Sequence, residues 1–86
     1  MKLKEGFILR TVAGETVVIP TGNDLDLNMM ITLNDTGKFL WEQLEKGAEE
    51  VELVTSLLDE YDVDEQTAQK HVVLFLEKLN EHGFLQ

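Results

Sequence analysis

The side chains of this chain that could do chemistry are few and poorly placed for it. His71 and His82 lie eleven residues apart in one helical stretch, roughly 16 Å along the axis, too far to share a metal ion. Asp59, Glu60, Asp62, Asp64 and Glu65 form an acidic cluster. It lacks the Asp-x-Asp-x-Asp-Gly order and closing glutamate of a calcium loop. Ser56 is the only serine and falls mid-helix, and there is no cysteine, hence no thiolate nucleophile, thiolate metal site or disulfide. Gly14 and Gly22 are isolated turn residues, not a phosphate-cradling loop. No catalytic residue, metal site or cofactor is expected.

Two other features stand out. The first is Met29, Met30, Ile31, Thr32 and Leu33, a stretch suited to a pleated surface that follows a polar loop. As an edge strand it would present unpaired N–H and C=O groups able to accept an added strand. Met29 and Met30 would add adaptable contacts. The second is a strip on the last helix: Thr67, Lys70, His71, Leu74 and Lys78. It holds both lysines of that helix and an apolar residue away from the core arc. A peptide lying there could pack on Leu74 and pair its carboxylates with Lys70 or Lys78. Phe39 also falls off the core face of its helix and is a further candidate contact.

Charge narrows the partners. The formal net charge is −10. Between Glu49 and Glu81 ten acids face only Lys70 and Lys78. Such a surface repels a phosphate backbone, so nucleic acid is not the expected partner. No apolar run approaches the ~18 residues of a membrane span. The opening Met1-Lys2-Leu3-Lys4-Glu5-Gly6 is too charged and short for a signal peptide, which makes the cytoplasm the expected location.

The elements that must position these residues can be read from pattern and punctuation. Phe7 to Val12 and Glu15 to Ile19 are two strands, joined by Ala13-Gly14 with glycine at positive φ. Pro20 ends the second, since it lacks a ladder N–H. Thr21 to Asn28 is a polar loop, and Met29 to Leu33 a third strand. A first helix starts at Asn34, an N-cap, and stops near Lys46, with Gly47 just past its end. Gly37, Leu40, Trp41 and Leu44 share its core face. A second spans Glu49 to Glu60 with Val51, Val54, Leu57 and Leu58 as its stripe and Leu53 at the margin. A third is capped by Asp64 and buries Ala68, Val72, Phe75, Leu76 and Leu79. Gly83 ends it, and Phe84-Leu85 folds back onto the core. The 86 residues make one domain (1–86). Three antiparallel strands followed by three helices give an α+β fold resembling a winged helix-turn-helix.

These residues also carry a family resemblance. Phe7-x-Leu9-Arg10, Val12-Ala13-Gly14-Glu15-x-Val17-Val18 and Ile31-x-Leu33-Asn34-x-Thr36-Gly37-x-x-Leu40-Trp41-x-x-Leu44 resemble the PqqD family, coenzyme PQQ synthesis protein D. The later stretches Leu53-Val54-x-x-Leu57-Leu58-x-x-Tyr61 and Val72-x-x-Phe75-Leu76-x-x-Leu79-x-x-x-Gly83-Phe84-Leu85 fit as well. The resemblance implies a winged-helix peptide chaperone without catalytic activity. Such proteins bind the leader of a ribosomally made precursor peptide and present it to a modifying enzyme, often a radical SAM enzyme. The leader adds as a strand beside the third strand and lies against the third helix. On this chain that places it between Met29–Leu33 and the strip Thr67, Lys70, His71, Leu74, Lys78. It looks more like the broad family than its PQQ-synthesis namesake. The alternatives are a winged-helix transcription regulator and a homodimer formed through the free strand edge.

Overall fold

A computed structural model describes residues 1–21 and 30–86. Strand β1 (Phe7–Val12) and strand β2 (Glu15–Pro20) form an antiparallel hairpin, with Val12 opposite Glu15 and Phe7 opposite Pro20. Both turn residues take positive φ, 53° at Ala13 and 82° at Gly14. A two-residue loop that matches the right-handed twist of its strands needs this at both positions. Alanine accepts the left-handed conformation at a cost of about 1 kcal/mol. The sequence pattern assigned that conformation to glycine alone.

Strand β3 (Ile31–Leu33) runs antiparallel to β2, with Ile31 opposite Val18 and Leu33 opposite Thr16. It is shorter than the expected Met29–Leu33. Met30 precedes it, and Met29 lies outside the described residues. The sheet order is β1-β2-β3, so among the described residues β3 is an edge strand.

The helices follow their caps. Helix α1 (Asp35–Glu45) begins at Asn34, whose Oδ1 accepts the Gly37 N–H at 2.8 Å. Gly37 is there for closeness: a Cβ would lie 3.2 Å from Asn34 Oδ1 and 3.4 Å from Leu33 Cβ. Gly47, at φ 84°, leads the chain out of the helix. Helix α2 (Glu50–Glu60) starts with the Glu49 N–H donating to Glu52 Oε1 at 2.9 Å. Helix α3 (Glu65–Glu81) is capped by Asp64, which accepts the Thr67 N–H at 2.7 Å.

One core joins these layers. Val18, Ile31 and Leu33 enter it from the sheet, Leu40, Trp41 and Leu44 from α1. The predicted arc of α3 is buried in full: Ala68, Val72, Phe75, Leu76 and Leu79. Phe84 folds back as expected, meeting Phe7 edge-on at 4.6 Å and Trp41 at 5.7 Å. Leu85 forms a β-bridge with Leu3.

Helix α2 departs from expectation. Of the expected stripe, Leu57 is buried and Val54 packs against the core, but Val51 is 75% exposed, Leu58 also faces outward, and Leu53, expected at the margin, is buried. Its apolar residues make one broad arc, and packing against α3 buries the edge through Leu53 and Leu57 while the edge through Val51 and Leu58 stays exposed. Phe39 is not a free contact either. It is half-buried and packs edge-on against Tyr61 at 5.7 Å.

Candidate functional site

A groove runs between the β3 edge and α3. The alternation along β3 sets up one wall: Ile31 and Leu33 point into the core and Thr32 points outward. The other wall follows from the phase of α3. With Val72, Phe75 and Leu79 inward, the residues at His71, Leu74 and Lys78 project along the flank nearest the sheet edge. Leu40 of α1 and Phe75 line the groove between these walls. The space is about 750 Å³ and open along its length, suited to a stretch of extended chain rather than a single ion.

One hydrogen bond crosses it. Lys78 Nζ donates to the Thr32 carbonyl at 3.4 Å, linking residues 46 apart in sequence. Charge is uneven along the groove. Lys78 stands on the α3 wall, while Glu15 of the hairpin and Asp35 at the start of α1 line the groove from the sheet side.

Of the residues singled out in the sequence, Thr32, Leu33, His71, Leu74 and Lys78 line this groove together. Ile31 sits behind the wall in the core, and Met30 is exposed just before β3. Met29 lies outside the described residues. Thr67 and Lys70 are not part of the groove. Thr67 is taken up in capping: its hydroxyl and its N–H both hold the Asp64 carboxyl below its ordinary range. Lys70 borders a separate shallow depression with Gln66, Gln69, Val73 and Leu74.

Sequence reasoning missed the groove's far end, made by Gly14, Glu15 and Thr16 with Asn34, Asp35 and Thr36. No local sequence signal marks it: the pairing of Thr16 with Leu33 is what carries the hairpin turn to the end of β3. Among the described residues, no three His, Asp or Glu side chains gather closely enough to hold a metal ion.

Comparison with known proteins fits this architecture. A structure of TbiB1 in complex with the TbiA(beta) leader peptide matches with a TM-score of 0.78 at 24% identity, covering 100% of this chain and 95% of that one. A structure of lasso peptide synthetase B1 complexed with the leader peptide matches with a TM-score of 0.74 at 19% identity, covering 96% and 93%. At these identities the likeness is one of fold. No curated protein sequence matches. The family model for coenzyme PQQ synthesis protein D spans residues 7–85, from the first strand through the segment that closes the core. With nearly its whole length inside that match, the chain belongs to the PqqD family.

Proposed function

We propose that this chain is a non-catalytic chaperone for a ribosomally made precursor peptide. It holds the leader as an added strand on the β3 edge, against α3, and presents the rest of the peptide to a separate modifying enzyme. The observation that carries this reading is the pairing of an edge strand with an apolar wall. β3 offers backbone groups on its outer side, and Leu74, 54% exposed, stands across the groove from it. Two similar folds were solved with leader peptides bound, which supports the same class of ligand here.

The division of labour follows from magnitudes. Each ladder hydrogen bond contributes a net ~0.5–1.5 kcal/mol and is indifferent to sequence. β3 is three residues long, so ladder bonds alone give weak, unselective binding. Burying one large apolar side chain of the peptide against Leu74 and Phe75 contributes about 1.5–3 kcal/mol more and supplies selectivity. The family resemblance makes a radical SAM enzyme the expected recipient. Among the described residues no helix is long and apolar enough to cross a membrane.

The test is a titration of the isotope-labelled chain with the leader segment of a precursor peptide encoded beside its gene. Amide signals of Ile31–Leu33 and of the α3 flank from His71 to Lys78 should shift together. Shifts confined to α2 or to β1 would overturn the assignment of the groove.

A further inference from the structure

We propose that Lys78 is a displaceable cap on the β3 edge, and that once displaced it selects an acidic side chain in the bound peptide. This deepens the strand-addition reading and rests on it. In the free chain the ammonium donates to the Thr32 carbonyl at 3.4 Å. That is longer than the usual 2.7–3.2 Å of such bonds and is exposed, so the contact is weak. It nevertheless occupies the acceptor in the middle of the edge strand. A lysine over an edge also discourages indiscriminate pairing.

A strand added to β3 brings its own backbone N–H to Thr32 and takes over that acceptor. The Lys78 ammonium is then released at the rim of the groove, one helical turn beyond Leu74. The described residues form one ion pair, between Met1 and Glu49, so no described carboxylate holds Lys78 in the free chain. A carboxylate on the peptide is the partner that replaces the lost contact with a stronger, charge-assisted one.

The charges lining the groove set the register. Glu15 and Asp35 disfavour a peptide carboxylate placed beside them, whereas Lys78 favours one placed beside it. The favoured occupant is therefore an extended segment with an apolar residue over Leu74 and an Asp or Glu beside Lys78. On a chain of net charge −10, the acid is accepted at this position because of a local cation and against the overall field.

The probe is a phage-displayed library of random twelve-residue peptides, selected on the full chain, on Lys78→Met and on Lys46→Met. Lys46 follows α1 outside the groove and serves as the charge-matched control. Clones are sorted by whether their synthetic peptides shift the Thr32 and Leu33 amide signals. The expected result is a fixed Asp or Glu in the aligned clones from the wild-type and Lys46→Met selections, absent from the Lys78→Met selection. Replacing that acid by its amide should weaken binding to the wild-type chain about fivefold and leave binding to Lys78→Met nearly unchanged. Clones that shift the β3 signals without a fixed acid, or with the same acid on Lys78→Met, overturn the role of Lys78 and leave strand addition standing. A selection yielding no peptide that shifts those signals overturns both.

Discussion

The sheet has two edges, and they differ in what stands beside them. The β1 edge is twice as long as β3, six residues against three. Its outer half, Arg10, Thr11 and Val12, is exposed, and the neighbouring surface of α1 carries Lys38, Glu42 and Glu45. The β3 edge faces Leu74 and Phe75 across a groove. A longer edge offers more ladder bonds, yet those bonds are indifferent to sequence and compete with water. An edge becomes a recognition site when an apolar wall beside it can take up side chains. Length alone makes β1 an aggregation risk, which its charged neighbours reduce.

A matched pair of substitutions tests this contrast most sharply. Val12 on β1 is 55% exposed and Leu74 beside β3 is 54% exposed. Neither substitution should disturb the core, so Leu74→Asp and Val12→Asp should unfold at nearly the wild-type denaturant midpoint. Calorimetric titration with a β3-binding peptide should show at least a tenfold loss for Leu74→Asp and less than a twofold change for Val12→Asp. Equal losses in both would mean that the wall is not what distinguishes the edges.

A smaller effect is expected at the junction of β3 and α1. Asn34→Ala removes the cap on the Gly37 N–H and should lower stability by about 1 kcal/mol in urea unfolding. Because Asn34 also lines the groove's far end, amide exchange should quicken there while the β1–β2 hairpin keeps its protection.

The smallest effect is pH-dependent and lies at the start of α3. The Thr67 hydroxyl and N–H hold the Asp64 carboxyl below its ordinary value of 3.8. A carboxyl lowered by folding stabilises the folded state fully above that ordinary value, and the contribution is lost as pH falls through the folded-state pKa. The first turn of α3 should therefore loosen in acid below about pH 3.8, seen as movement of the Thr67 amide signal. Asp64→Asn should flatten that response and leave the β1 signals untouched.

Much of this arrangement is legible from local chemistry. The caps at Asn34 and Asp64 announce themselves by residue type and by the apolar pattern that follows. The α3 arc is one unbroken stripe on a 17-residue helix, so its phase admits a single answer. Helix α2 has only 11 residues and one broad apolar arc. Which edge of that arc is buried is decided by α3, not by anything within α2. Phe39 fails for the same reason, since its partner Tyr61 is set by where α2 ends. In the groove, Leu74 and Lys78 can be named from helical spacing. The Lys78–Thr32 contact cannot, because it depends on how far α3 slides along the sheet across 46 intervening residues. The acidic far end is hidden in the same way, being assembled from a turn and a helix start that only strand register brings together.

The single tryptophan has a practical consequence. Trp41 is 1% exposed, stacked edge-on against Phe84, and turned away from the groove that its neighbour Leu40 lines. Its fluorescence should be blue-shifted in the native chain and report loss of the core. It should stay nearly silent when a ligand settles on the rim. An optical assay of occupancy on the unmodified protein should therefore read the rise in melting temperature that a ligand confers, not a change in emission at fixed temperature.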